Sequence, residues 1–218
     1  MKKKKAPTYR AYIETLIVAL VIAFVLRTFV VQAYKIPTTS MEDTLLKGDF
    51  VLVNKFIYHF KEPEIGDVIV FKYPLNPDRD FVKRIIADEG QTVEIKDKIV
   101  NVDGVTESRP AGAKHIDKDI LPKEYSTRDN LKPTQVPPGH LFVLGDNRDN
   151  SQDSREWGFL DKKLVKGKAL IVYFSWKSDP KAPRFESPYI IPFFKILIYY
   201  ITHFPLNTRW ERMAHLIK

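Results

Sequence analysis

The chain has 218 residues, which corresponds to one domain with extensions or an insertion and argues against a long repeat array. Hydrophobic residues make up 44% and charged residues 28%, a balance that supports a buried core but excludes a polytopic membrane protein. Cysteine is absent, which excludes a disulfide framework, a thiolate nucleophile and a cysteine-based metal site. The net charge of +8 favours nucleic acid or anionic lipid as a partner, and the placement of the basic residues decides between them.

The N-terminus carries a basic run followed by an apolar stretch. Residues 1–11 hold five positive charges and no acid, and residues 12–31 are mostly apolar. Twenty residues at about 1.5 Å each reach about 30 Å, the thickness of a bilayer's hydrocarbon core, and Glu14 and Arg27 lie close enough to the ends to reach the interface. We therefore predict a transmembrane anchor at 12–31, with residues 1–11 in the cytoplasm and the rest of the chain on the far side.

A cleavable secretory signal is the alternative for this stretch. Val31–Ala33 places small residues where a cleavage site needs them. Arg27, however, falls where the apolar region of a signal should continue, so a retained anchor is favoured.

The region after residue 48 predicts a mainly β fold. Short apolar runs of strand length are separated by Gly, Pro and Asp, and no stretch between residues 48 and 180 has long helical periodicity. The predicted strands are Phe50–Phe56, Val68–Tyr73, Phe81–Ile86, Thr92–Lys96, Lys98–Val102, His140–Leu144 and Ala169–Phe174. We predict a β domain from 32–104 and 137–180, interrupted by a mostly irregular insertion at 105–136 and followed by a C-terminal segment, 181–218.

Ser40 lies in the first of three segments that could carry chemistry. Taken alone, Ser40 fits a helix N-cap, because Asp43 follows three residues later and an apolar pair begins at Leu45. The hydroxyls at positions 38, 39 and 40 nevertheless follow a rigid Pro37 just beyond the predicted anchor. A nucleophile there would meet membrane-held substrates.

Lys83 lies in the second segment, on a predicted strand. Side chains alternate along a strand, so Phe81, Lys83 and Ile85 share one face, which makes Lys83 a candidate for desolvation. To act as a base near neutrality its pKa must fall from about 10.4 by about 3, which burial can supply. The alternative is an ordinary solvated lysine.

The third segment, Gly145–Gly158, is dense in Asp, Asn, Ser and Arg. A calcium loop beginning at Asp149 would have Ser154 where glycine is required and no Glu at its twelfth position, so we expect no calcium there. A turn-rich loop with Asx caps and Asp–Arg pairs explains most of its composition.

These three segments, in this order behind one N-terminal anchor, resemble the bacterial type I signal peptidases (leader peptidases), serine proteases of the Ser-Lys dyad kind. Residues 145–158 match the family's box Gly-Asp-Asn-Arg-Asp-Asn-Ser-x-Asp-Ser-Arg-x-Trp-Gly at all 12 specified positions. Pro37–Met41 resembles the nucleophile box, Phe81–Ile86 the lysine box and Gly66–Phe71 a structural strand box, and residues 208–212 resemble the C-terminal tail.

The resemblance implies that Ser40 is the nucleophile and Lys83 its general base. It further implies that Ser151 hydrogen-bonds Lys83 and orients its amine, and that the Thr38 hydroxyl and the Ser40 backbone N–H form the oxyanion hole. The family commonly has Ser-Gly where this chain has Thr38 and Thr39, so the hydroxyl at 38 survives but the flexible glycine is replaced.

The resemblance also implies that Asp153 and Arg155 pair and brace the long segment. After Ile86 the family often has Gly-Leu-Pro-Gly-Asp, whereas this chain has Ala87–Gln91, so the local turn is expected to differ.

The function implied by the resemblance is that of a membrane-bound serine endopeptidase that cleaves N-terminal signal peptides from exported preproteins. Expected partners are preproteins, the lipid bilayer and the protein-export machinery, with no nucleic acid, metal or cofactor. The expected location is the bacterial cytoplasmic membrane, with the catalytic domain on the outer side. Two alternatives stay open: a membrane-tethered binding or assembly module without catalysis, and a Ser-His-Asp hydrolase with His59 or His140 as base.

A second apolar stretch, Tyr189–Phe204, lies near the C-terminus. Its 16 residues reach about 24 Å, short of a membrane span, and Pro192 and Lys195 interrupt it. Aromatic residues with flanking charge favour a helix that lies in the membrane interface, with a second span or a buried core helix as alternatives.

Overall fold

The computed structural model describes residues 9–25, 31–122, 124–177, 179, 182 and 190–217. Antiparallel strands build the body of the fold, which is mainly β, as the sequence predicts. In chain order the helices and strands are α1 (Tyr9–Val25), β1 (Val31–Lys35), β2 (Asp49–Asn54), β3 (Val68–Tyr73), β4 (Asn76–Ala87), β5 (Thr92–Lys96), β6 (Ile99–Val102), β7 (Val105–Thr106), β8 (Leu131–Gln135), β9 (His140–Leu144), α2 (Ser154–Trp157), β10 (Leu160–Asp161), β11 (Val165–Ser175), α3 (Ile190–Asn207) and β12 (His215–Leu216).

The larger sheet has the strand order β1-β2-β11-β3-β4-β9-β10, and β12 pairs with β11. Its central strand β3 is apolar on both faces because both faces are covered. Val68 and Val70 belong to one core cluster, and Ile69 and Phe71 belong to another. The sheet thus places β4, which carries Lys83, between two packed layers.

The smaller sheet has the order β7-β6-β5-β8 within the described residues. Its two hairpins turn at Asp97–Lys98 and Asp103–Gly104, where all four residues have positive φ, as two-residue hairpin turns require. Val93 and Ile95 on β5 pack with Phe142 of β9 in a shared core cluster, which attaches this sheet to the larger one.

Most of the predicted insertion at 105–136 is irregular chain, but its two ends form strands. It contributes β7 and β8, and β8 pairs with β5 as an edge strand of the smaller sheet. Pro133 lies within β8, and an edge strand tolerates proline because one side of its backbone needs no ladder partner.

The predicted anchor at 12–31 overlaps three parts of the chain. Residues 12–25 lie in α1, whose large apolar side chains are exposed as far as Phe24; residues 26–30 lie outside the described residues; and Val31 pairs with Asn54 as the first residue of β1. Of the helices that the structure describes, none is both long enough and apolar enough to cross a membrane. The expected end of the anchor at Val31 is corrected, since β1 begins there.

Helix α3 covers most of the second apolar stretch, although residue 189 lies outside the described part of the chain. Its Phe204 stacks on Phe174 of β11 with ring centroids 6.1 Å apart, and Tyr200 packs against Trp176 at 5.5 Å. Ile201 on the same helix is 66% exposed. Helix α3 is therefore not a buried core helix, because it packs one face on the β sheet and exposes another.

Candidate active site

Ser40 lies in the loop between β1 and β2, and this loop is anchored at both ends. The Ile36 N–H donates to the Asp49 carbonyl at 2.8 Å, and the Gly48 N–H donates to the Ile36 carbonyl at 2.9 Å. Met41 and Leu45 are buried in the core, so the loop is held by its own apolar side chains. No helix begins at Ser40, and the N-cap interpretation is therefore wrong.

The C-terminal tail holds the same loop from outside. Arg212 donates through Nη2 to Asp49 Oδ2 at 2.6 Å and to the Thr44 carbonyl at 2.9 Å. Asp49 is fully buried and also accepts a hydrogen bond from Ser175 at 2.6 Å. Buried charges are stable only when paired, so this pair fixes the tail against the loop that carries Ser40.

Lys83 on β4 reaches Ser40. Its side chain is 3% exposed, and Nζ donates a 2.7 Å hydrogen bond to Ser40 Oγ. Nζ also lies 5.4 Å from the ring centroid of Phe81, the neighbour on the same strand face. The structure thus brings together the hydroxyl and the amine that lie 43 residues apart in the sequence.

Burial sets the protonation state of this amine. Desolvation lowers the pKa of Lys83 to about 8, against the opposing effect of the Asp153 carboxylate. With that pKa, about a tenth of the amine is neutral at pH 7. A neutral amine in contact with a hydroxyl can take its proton, so the pair can act as nucleophile and base.

The two groups expected in the oxyanion hole flank the nucleophile. Thr38 is exposed, and its Oγ1 lies 3.4 Å from Ser40 Oγ. Within the described residues no hydrogen bond uses the Ser40 backbone N–H, whereas the Ser40 carbonyl accepts from the Asn147 N–H at 3.1 Å. The Ser40 N–H is therefore free to donate to a substrate oxygen, and the Thr38 hydroxyl can rotate from Ser40 toward the same oxygen.

Ser151 lies beside the nucleophile loop, but its expected hydrogen bond to Lys83 is not formed. Its Oγ is buried and has no hydrogen-bond partner in the part of the chain that the structure describes. A Cβ added at Gly145 would lie 2.2 Å from Ser151 Oγ and 2.5 Å from the Ser40 carbonyl oxygen. Position 145 therefore requires glycine, because any side chain there would collide with Ser151 and with the Ser40 backbone.

Asp153 and Arg155 form a buried ion pair in the long segment. Arg155 donates through Nε and Nη2 to the two carboxylate oxygens of Asp153, each at 2.8 Å. Burial alone would raise the pKa of Asp153, but the charge and hydrogen bonds of Arg155 outweigh it and keep the pKa below its usual value. The Ser151 hydroxyl adds to this effect, although its geometry does not complete a hydrogen bond.

Sequence analysis missed a second buried ion pair next to the dyad. Arg84 donates through Nε and Nη2 to Asp146 at 2.8 and 2.7 Å, and both side chains are buried. The sequence did contain a sign of this pair. An arginine next to Lys83 in a strand predicted to be buried requires a buried carboxylate, and Asp146 is the second residue of the long segment. This pair joins the lysine strand to the long segment.

The insertion also contacts the long segment, through Asp149. Its Oδ1 lies 3.0 Å from His115 Nδ1 and 3.3 Å from Lys98 Nζ, and its Oδ2 accepts from the Asp117 N–H at 2.8 Å. These contacts lower the pKa of Asp149 to about 2, although burial opposes them. No sequence motif pointed to this cluster, because three of its four members lie outside the long segment.

A cavity of about 470 Å³ surrounds the reactive pair. Neither His59 nor His140 lines it, and His59 lines a different cavity. In the described residues no group of three or more His, Asp or Glu side chains is placed to hold a metal ion. The residues that line the reactive cavity are Ile36, Pro37, Thr38, Thr39, Ser40, Met41, Arg79, Asp80, Phe81, Val82, Lys83, Asn150 and Gln152.

Comparison with known proteins places this site in a family. The family model described as "Signal peptidase, peptidase S26" matches residues 9–176, a range that includes Ser40, Lys83 and the long segment. The chain belongs to this signal peptidase family. The S26 relatives include the signal peptidase I of Aquifex aeolicus, which is 37% identical over 81% of this chain and 88% of that protein. The probable signal peptidase I-1 of Synechocystis is 43% identical over 74% of this chain and 81% of that protein.

A solved structure is also similar to this S26 chain. The crystal structure of a signal peptidase I from Enterococcus faecalis is 33% identical to it and has a TM-score of 0.38, covering 50% of this chain and 97% of that one. The family match and the curated relatives confirm the resemblance drawn from the three segments, and they identify the chain as a serine peptidase.

Proposed function

We propose that this S26 peptidase cleaves signal peptides from exported preproteins with Ser40 as nucleophile and Lys83 as general base. The observation that carries the proposal is the 2.7 Å hydrogen bond between a buried lysine amine and a half-buried serine hydroxyl. The curated relatives are signal peptidases, which supports the same substrate class.

The reaction follows from these groups. The neutral Lys83 amine takes the proton of Ser40 Oγ as that oxygen attacks the scissile carbonyl and forms a C–O bond. The Thr38 hydroxyl and the Ser40 N–H donate to the resulting oxyanion. The Lys83 ammonium then gives its proton to the leaving amine as the C–N bond breaks. Water, deprotonated by Lys83, hydrolyses the acyl ester and restores Ser40.

Ser151 is proposed to hold the amine during these transfers. A buried hydroxyl without a partner is uncommon in folded proteins, which supports a partner that arrives during the reaction. Once Ser40 is acylated, Lys83 loses its hydrogen-bond acceptor, and a hydrogen bond to Ser151 would orient its amine toward the water. Asp153 and Arg155 are proposed to brace the loop that carries Ser151.

Membrane attachment is the second part of the proposal. We propose that residues 12–30 anchor the chain in the bacterial cytoplasmic membrane, with residues 1–11 in the cytoplasm and the catalytic domain, which begins with β1, outside. The basic N-terminus and the apolar stretch support this topology. Helix α3, with exposed Ile198 and Ile201, is proposed to lie in the lipid interface. Signal peptides held in the same bilayer would then meet Ser40 close to the surface, near the export machinery.

Cleavage of a labelled preprotein tests the proposal. The purified full-length chain in phospholipid vesicles should release the signal peptide at one site, whereas Ser40→Ala and Lys83→Ala should not. Matched controls are Ser108→Ala and Lys72→Ala, exposed residues outside the cavity, which should cleave like wild type. An intact substrate with the wild-type protein would favour the non-catalytic binding module, and turnover by Lys83→Ala would exclude the dyad.

A further inference from the structure

Thr39, the residue between the two proposed oxyanion donors, is held by the long segment at two points. Asn150 Nδ2 donates to the Thr39 hydroxyl at 3.0 Å, and Asn147 Nδ2 donates to the Thr39 carbonyl at 3.1 Å. The Asn147 backbone N–H also donates to the Ser40 carbonyl at 3.1 Å. Three hydrogen bonds therefore join two consecutive residues of the nucleophile loop to two residues of the long segment.

The Thr39 carbonyl accepts from Asn147 Nδ2 and, at 3.0 Å, from the Glu42 N–H, and these two donors together set where the Ser40 N–H points. The peptide bond between Thr39 and Ser40 is planar, and in the trans form its C=O and N–H point in opposite directions. With the carbonyl held toward Asn147 and the Glu42 N–H, the Ser40 N–H must point away from both donors. The same N–H makes no hydrogen bond within the described chain, so it stays available to a ligand.

The hydrogen bond to the Thr39 hydroxyl restricts the other side of this peptide. A β-branched residue has few χ1 rotamers, so a bonded hydroxyl limits rotation of the backbone at Thr39 as well. Thr38, which precedes it, carries the other proposed donor, 3.4 Å from Ser40 Oγ. A fixed Thr39 therefore sets the positions of both donors relative to each other.

We propose that Asn147 and Asn150 are positioning residues for the oxyanion hole and that they act through Thr39. This inference rests on the proposed function, because it concerns the oxyanion formed at Ser40. Glycine at position 39 would leave the backbone free to rotate. The hydrogen-bonded Thr39 hydroxyl restricts that rotation and so helps to align the two donors. Neither asparagine needs to touch the substrate for this role.

The test compares Thr39→Val, Thr39→Ser and Asn150→Ala in cleavage of the labelled preprotein by the full-length protein. Thr39→Val keeps the shape but removes the hydroxyl, and kcat should fall about 3–10-fold with KM changed less than twofold. Thr39→Ser keeps the hydroxyl and should restore most of the rate. The pH profile should stay that of wild type in all three variants, because Lys83 is not affected.

A matched control is available in the smaller sheet. Thr106 Oγ1 donates to Asn101 Oδ1 at 2.9 Å, an exposed threonine–asparagine pair that lies outside the reactive cavity. Thr106→Val should leave both kcat and KM unchanged. Thermal unfolding of each variant shows whether it is folded, and Asn150→Ala, which removes the donor to the same hydroxyl, supplies the test if Thr39→Val does not fold.

The double variant Thr39→Val/Asn150→Ala separates positioning from direct substrate contact. If Asn150 acts through Thr39, the double variant should be no slower than the worse single variant. Multiplied losses, or an effect on KM alone, would overturn the proposal. A wild-type kcat in Thr39→Val, with Ser40→Ala inactive, would also overturn the proposal. That result would refute the role of Thr39 but would not contradict the proposed function. Failure of the wild-type protein to cleave would instead refute the proposed function.

Discussion

Lys83 Nζ lies 2.7 Å from Ser40 Oγ at a site where the lysine side chain is 3% exposed. An ammonium group in such a place loses most of its hydration, and of the nearby carboxylates that favour the charged form Asp153 contributes most. The fold thus pays a cost in stability to keep a lysine that can lose its proton near neutrality. The effect of Lys83 on stability can therefore be measured separately from its effect on catalysis.

Replacing Lys83 by methionine separates its effect on stability from its effect on catalysis. Lys83 has a pKa of about 8 in the folded protein, against an ordinary value of 10.5. The free-energy cost of burying its charge is therefore fully present below pH 8 and disappears as the pH rises from 8 to 10.5. Lys83→Met should be inactive yet more stable than wild type at pH 7, by on the order of 3 kcal/mol in the free energy of unfolding. The difference should shrink at pH 10. Urea unfolding at both pH values checks this, and a variant less stable than wild type at pH 7 would contradict it.

Thr38→Val tests the first oxyanion donor. Its hydroxyl is 3.4 Å from Ser40 Oγ and exposed to the cavity. Loss of one donor should lower kcat roughly 10- to 100-fold with little change in KM, because the donor acts on the oxyanion rather than on the bound peptide. Thr38→Ser should recover activity. Steady-state kinetics on a preprotein decides, and an unchanged kcat in Thr38→Val would remove Thr38 from the oxyanion hole.

The histidines provide a test against a Ser-His-Asp mechanism. Neither His59 nor His140 lines the cavity that contains Ser40, and His140 Nδ1 lies 2.9 Å from the Pro138 carbonyl. His59→Ala and His140→Ala should each retain turnover within about twofold of wild type, since neither side chain reaches the nucleophile. Loss of activity in either variant, with the fold intact by circular dichroism, would argue for a histidine base.

Local patterns predicted much of the β structure. The bounds predicted for Val68–Tyr73, Thr92–Lys96 and His140–Leu144 are those of β3, β5 and β9, since these runs are apolar or alternate and each is followed by Pro, Asp or Gly. The strand predicted at Phe81–Ile86 is longer in the structure, because β4 starts at Asn76 and its first residues are polar and exposed. Hydrophobic patterning does not detect a strand end that buries nothing.

The pairing of distant residues could not be predicted from patterns alone. The family box identified Ser40 and Lys83 as candidates, but the contact between Asn150 and Thr39 depends on how the loop after β9 meets the loop after β1. The cluster around Asp149 likewise depends on where the insertion folds back. Such contacts are set by tertiary packing, which no local propensity encodes.

The ion pair between Asp153 and Arg155 gives a stability prediction. Both side chains are buried, so Arg155→Met would leave an unpaired buried carboxylate and should cost about 3–5 kcal/mol of the free energy of unfolding. Arg109→Met, at an exposed position, should change stability by less than about 0.5 kcal/mol. Guanidinium unfolding of both variants is the measurement. Equal stabilities would mean that the pair does not brace the loop.

The pH dependence of kcat/KM for preprotein cleavage tests the dyad most directly. If neutral Lys83 is the base, kcat/KM for the wild type should rise about tenfold per pH unit below pH 8 and level off above it, in line with the pKa of about 8. Lys83→Ala should show no cleavage at any pH. A wild-type profile that is flat from pH 6 to 9, or cleavage by Lys83→Ala at any pH, would contradict the assignment of Lys83 as the base for Ser40.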